Sequence, residues 1–332
     1  MGTRLWTGIL ATITLAGLTV GCEAGTSPQE SAPFEANTAL ADYQALDAAL
    51  SGDGVDGLRQ LSGRLPLQTI PSAGSPATSP IISGLHRGAT FVYDPTRDEY
   101  AVDPDRTGAP ATGVRFILYE LDGTGTPLPD QESGHADLVD EGDGSAEDIV
   151  LWMTVVQSGV TVLDYRTSLD ENGPEGNLTV DGFLVGDNVR LVFSIDGAGV
   201  HEGARSEVNL SFDLRIDARD FQVTGSVAGR EEGSESGGRI QVTARHRDES
   251  FRVDVVGDDG IIDGFVELNG ALFATVSGPE DDPTFLRASG DPLTGLEFLV
   301  LWRVIDSVED VFDFVEDLID PVDELVLLGA VL

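Results

Sequence analysis

Val208-Asn209-Leu210-Ser211-Phe212-Asp213-Leu214-Arg215-Ile216 decides the fold. Every second residue is large and apolar, and each one between is polar or charged. Strand side chains point alternately to opposite faces, so this period of two describes a strand dry on one face and wet on the other. The pattern repeats outward from it. Val189, Leu191, Phe193 and Ile195 precede it, and Phe221, Val223 and Val227, then Ile240 and Val242, then Phe251, Val253 and Val255 follow. Gly186-Asp187-Asn188, Asp217-Ala218-Arg219-Asp220, Arg247-Asp248-Glu249 and Asn269-Gly270 separate such runs. Links this short force neighbouring strands to pair antiparallel, because parallel pairing needs a long crossover. The stretch 90–277 therefore reads as a meander of about 11 to 13 strands. Ile149 to Val156 is apolar at nearly every position, as in a strand covered on both faces.

Beyond the meander the period changes. Thr294 and Glu297 match a capping box, in which each satisfies the other's orphan backbone donor. A long helix is expected over 294–320, with Leu301, Val304, Ile305, Val308, Val311, Phe312, Val315, Leu318 and Ile319 on its apolar face. Such a helix would be roughly 40 Å long. Residues 37–62 read as helical too: Leu40, Tyr43, Leu46, Ala49 and Leu50 share a face, and Gly52 and Gly54 stand before a second short segment over Val55 to Leu61. The proline-rich residues 66–84 read as a loop. The expected fold is α+β: one β-rich domain over 37–332, a large antiparallel meander forming a curved sheet or half-barrel. The long C-terminal helix and the shorter N-terminal one are expected to cover its concave face. This pattern resembles the half-barrels of periplasmic lipoprotein carriers and mycobacterial lipid-binding lipoproteins. That resemblance implies a curved-sheet cavity for a lipid or other apolar ligand.

The first residues are of another kind. Arg4 supplies a positive start, Leu5 to Leu18 carry no charge, and the segment ends Thr19-Val20-Gly21-Cys22. A positive start, a short apolar run and small residues at a cut site make an export signal, here 1–21. The run is too short for a bilayer span, which needs about 20 residues. Gly21-Cys22 resembles the lipobox of bacterial lipoprotein precursors, although Thr19 stands where that family usually has leucine. The resemblance implies cleavage before Cys22, lipid on Cys22 and anchoring at a membrane. Cys22 is the only cysteine, so no intramolecular disulfide can form. Glu23 replaces the aspartate that favours inner-membrane retention in enteric bacteria, which points to the outer membrane's periplasmic face or the cell surface. Residues 22–36, rich in Gly, Ser, Thr and Pro, read as a disordered tether.

The chain carries 58 Asp and Glu against 19 Lys and Arg, a formal charge of −39, and every basic residue is arginine. Such a surface repels nucleic acid, so the expected partners are the membrane, through Cys22, and an apolar ligand or an envelope protein. No metal site or other cofactor is expected: His86, His135, His201 and His246 are scattered, and no H-E-x-x-H occurs. No nucleophile elbow, phosphate loop or dinucleotide glycine pattern stands in context, so no catalytic residue is singled out and an enzyme is not expected. Two acidic stretches, Asp137 to Asp143 and Gly257 to Gly260, are dense enough for weak calcium binding, but neither matches the 12-residue calcium loop. The alternative to a ligand carrier is a structural or interaction lipoprotein with a filled core.

Overall fold

The computed structural model describes residues 46, 49–50, 53–61, 64, 82, 84, 86–142, 148–172, 174–186, 189–233, 235–279, 282–295, 297–298, 301, 311, 314–315 and 318. The expected signal segment 1–21, Cys22, the tether 22–36 and the apolar end 325–332 lie outside these residues. One helix, α1 (Asp53–Leu61), precedes fifteen strands. The first group is β1 (Thr90–Asp94), β2 (Glu99–Val102), β3 (Gly113–Leu121), β4 (Pro127–Asp140), β5 (Asp148–Gln157), β6 (Val160–Asn172) and β7 (Glu175–Gly186). Then come β8 (Val189–Glu202), β9 (Arg205–Ile216), β10 (Phe221–Glu232), β11 (Glu235–His246) and β12 (Glu249–Asp258). β13 (Ile261–Leu268), β14 (Ala271–Pro279) and β15 (Thr284–Arg287) end the series. They form one open sheet in the order β15 back to β3, then β1, then β2.

The structure corrects the expected fold in three respects. The sheet has fifteen strands, not 11 to 13, because the short β1–β2 hairpin and β15 add edge strands of four or five residues. It is mixed, not purely antiparallel: β2 folds back on one side of β1, and the chain returns to lay β3 parallel on the other, Phe91 against Phe116. Neither the long C-terminal helix nor the 37–62 helix is an element of the structure, and α1 is the one α-helix among the described elements. Within 294–320, helical backbone is described only at Gly295, Glu297, Phe298, Leu301, Val311, Phe314, Val315 and Leu318. The expectation rested on apolar periodicity, which marks buried positions and does not by itself establish one unbroken helix. In the 37–62 stretch the one helical element is α1, nine residues long, and Gly52 immediately before it is a residue that costs about 1 kcal/mol in a helix interior.

Two compact units divide the chain: Ala48–Ser194 together with Asp313–Leu332, and Ile195–Phe312. In the first, α1 buries Val55, Leu58 and Leu61. Gly57 allows the close approach, since a Cβ there would lie 2.9 Å from Val155 Cγ1 and 3.2 Å from Leu118 Cδ1. The fully buried Tyr165 hydroxyl donates to the Leu318 carbonyl at 3.0 Å. Phe193 meets Phe314 edge to face, centroids 5.2 Å apart. In the second, the nonamer Val208 to Ile216 lies in β9 and buries Val208, Leu210, Phe212, Leu214 and Ile216, the period-two set. Gly225 of β10 faces Phe212, whose ring fills the space a Cβ would take, 2.2 Å from the ring's Cζ.

Two-residue turns fix the register between several strands. Ser158-Gly159, Asp259-Gly260 and Asn269-Gly270 each have positive φ at both positions, the type I′ geometry whose twist matches the strands it joins.

Candidate functional site

The alternation that buries one face of β10 to β13 places the intervening polar residues together on the other. The registers set them in rows. Ser226 lies opposite Gln241, Gln241 opposite Asp254, and Asp254 opposite Phe265. The next row is Thr224, Thr243, Arg252 and Glu267, and the one after it begins Gln222, Arg245 and Ser250.

Asp254 is the centre of this grid. Its side chain is only 3% exposed. Arg239 donates to both its oxygens, Nε at 2.9 Å and Nη2 at 2.8 Å, a bidentate fork. Gln241 Nε2 donates at 2.6 Å and Arg252 Nη2 at 2.8 Å. These bonds, led by that from Arg239, hold the Asp254 carboxyl below its usual range against the opposing effect of burial. Arg252 is further oriented by Glu267, 3.7 Å away, and lies over the Phe265 ring at 5.4 Å. Beside this network runs a groove of about 430 Å³. The hydroxyl residues Thr224, Ser226, Thr243 and Ser250 line it, with Arg245 and Arg252. Arg245 is exposed and, among the described residues, has no carboxylate within ion-pair distance.

A second polar cluster lies on β5 to β8. Trp152, 39% exposed, donates its indole N–H to Asp164 at 3.1 Å, and Arg190 lies 3.9 Å over the Phe183 ring.

The structure does not bring the four histidines together. His86 is half-buried and stacks on Phe91, and its burial lowers its pKa. His135 is lowered by burial and by Arg115, with Asp137 opposing at 3.9 Å. His201 shares a hydrogen bond with Ser206 at 2.9 Å. His246 is half-buried in phase with Val242 and Ala244, opposite Phe221. The acidic stretches are likewise committed elsewhere. Asp137 holds Arg115 in a bidentate pair at 2.7 Å, Asp140 faces Arg87 at 3.5 Å, and Glu141 pairs with Arg166. Asp143 lies outside the described residues. Gly257 to Gly260 is the end of β12 and its I′ turn. No group of three or more His, Cys, Asp or Glu among the described residues is placed to hold a metal ion. Among those residues no helix is long and apolar enough to cross a membrane. Sequence reading missed the Asp254 network because acidic residues stand everywhere in this chain. The available signal was the two-residue Arg247-Asp248 link: counting back from it pairs Gln241 with Asp254 and Thr243 with Arg252.

No protein-family model, curated protein or solved structure matches the chain.

Proposed function

We propose that this chain is a lipid-anchored protein of the bacterial cell envelope that acts as an interaction module, with its own side chains filling the core and its polar sheet face as the working surface. The anchor reading rests on the apolar run Leu5 to Leu18 and on Gly21-Cys22. One observation favours a filled core over a ligand carrier. In the first unit the apolar sheet face is packed by the chain itself, with Tyr165 bonded to Leu318, Phe193 against Phe314, and Gly57 pressed onto Val155. A carrier instead keeps an apolar cavity of about 300 Å³ or more for its ligand.

Native mass spectrometry of the protein purified from membranes tests both parts. The expected result is the polypeptide from Cys22 onward plus covalent acyl chains, with no stoichiometric apolar companion. A co-purified lipid that dissociates on activation overturns the filled core. A Cys22→Ala protein that stays processed and membrane-bound overturns the anchor, because acyl chains on that sulfur would then not be the tether.

A further inference from the structure

We propose that the groove on the polar face of β10 to β13 binds an acidic sugar, a hydroxylated ring bearing a carboxylate or phosphate, with Arg245 as the anion anchor. The inference rests on the reading that this face is the working surface.

Three features of the groove carry it. The first is Arg245. In a chain with 58 acidic and 19 basic residues, most guanidinium groups find a carboxylate, as Arg239, on the same strand as Arg245, and Arg252, on the next, both do. Arg245 lines the groove without one among the described residues, so its planar fork of donors remains available for an anion. The second is the preorganised neighbour. Arg252 is held by Asp254, Glu267 and the Phe265 ring, so it presents a fixed positive wall and not a mobile side chain. The third is the lining. Thr224, Ser226, Thr243 and Ser250 offer hydroxyls that both donate and accept, which suits the hydroxyls of a sugar ring. A volume of about 430 Å³ suits one or two such rings.

The net charge of −39 repels anions only at long range. The screening length is about 8 Å at physiological salt, so the groups lining the groove set the local potential. Of the charged residues that line the groove, two are arginines, Arg245 and Arg252, and one is a carboxylate, Glu267.

The test is calorimetric titration of the full chain in a polyoxyethylene detergent, which carries no sugar headgroup. The probes are a galacturonate trisaccharide, a neutral galactose trisaccharide and glucose 6-phosphate. At least one acidic probe should bind saturably, the neutral trisaccharide about tenfold or more weaker, and whichever acidic probe is tighter identifies a polysaccharide carboxylate or a phosphorylated headgroup as the source. Arg245→Gln should weaken the acidic probe by about tenfold or more, with Arg245→Lys between it and the wild type, since lysine keeps the charge but loses the fork. Arg230→Gln, an exposed arginine outside the lining, should change nothing. Absence of binding by both acidic probes, equal binding of the neutral one, or an Arg245→Gln protein indistinguishable from wild type overturns the proposal. Neither the lipid on Cys22 nor the contents of the core enters this measurement, so its failure leaves the proposal of a filled, anchored module standing.

Discussion

β3 and β12 are both interior strands of the sheet, yet they are held by different means. β12 pairs with β11 and β13 without a shift in register, and short turns connect it on both sides. β3 slips against β4 twice, between Leu118 and Tyr119 and between Tyr119 and Leu121. At the slip a side chain from α1 completes the ladder: Gln60 Nε2 donates to the Tyr119 carbonyl at 2.9 Å, and the Tyr119 N–H donates to Gln60 Oε1 at 3.0 Å. Tyr100 adds a hydroxyl bond to the Ile117 carbonyl at 3.0 Å. Strand β12 is thus specified by residues near it in sequence. Strand β3 depends on a glutamine 59 positions away.

The sharpest way to break that contrast is Gln60→Leu. Leucine nearly preserves the volume but leaves a buried N–H and C=O without partners. Each orphaned group costs about 1–3 kcal/mol, so a loss of about 3 kcal/mol is expected in urea unfolding. Amide exchange at Tyr119 should accelerate while amides of β12 stay protected. Unchanged exchange at Tyr119 would mean that the strand holds itself and that the two regions are alike.

The next effect lies at Glu297, near the far end of the chain. Its side chain is 2% exposed. It accepts the Thr294 N–H at 2.7 Å and the Arg287 Nη2 donor at 2.9 Å. Burial pushes its pKa up, but the Thr294 backbone bond and Arg287 outweigh this and hold the carboxyl below its usual range. A carboxyl whose folded pKa is depressed stabilises the fold above its unfolded pKa, about 4.3. That contribution is lost as pH falls through the lower folded value. Glu297→Gln should therefore cost about 2 kcal/mol at pH 7, since the charge-assisted bonds from Arg287 and the Thr294 N–H are weakened, and its difference from wild type should shrink below about pH 4. A difference independent of pH would place the effect in packing and not in charge.

These two sites show what the chain discloses locally. Strand positions from β8 to β14, the I′ turn at Asn269-Gly270 and the reciprocal bonds between Thr294 and Glu297 follow from residues a few places apart. Nothing near Gln60 marks it as a partner for Tyr119, and nothing near Arg287 marks it for Glu297. The parallel pairing of β1 with β3 is equally hidden, since it depends on where the chain returns after β2. The helical expectation for 294–320 failed for a related reason. Apolar periodicity records which residues are buried, as Leu301, Val311, Val315 and Leu318 are, without recording whether one unbroken helix buries them. The candidate site was half legible: its polar residues alternate visibly, but only the register shows that Arg239, Gln241 and Arg252 converge on Asp254.

The smallest effect tests the local side of the contrast. Gly270 has φ +77°, and no heavy atom of another residue beyond its chain neighbours stands within 4 Å of where a Cβ would be. Gly270→Ala therefore meets no clash and isolates the backbone cost of the left-handed conformation, about 1 kcal/mol. Asn269 remains to accept the Ser250 N–H at 2.8 Å, so the turn should keep its place. Amides of β13 and β14 should exchange several times faster, in keeping with that cost, while Tyr119 stays as protected as in the wild type. Gln60→Leu should give the reverse pattern. If Gly270→Ala exposed Tyr119 as well, the hairpin and the plugged strand would open in one step, and local specification of β13 and β14 would not mean local stability.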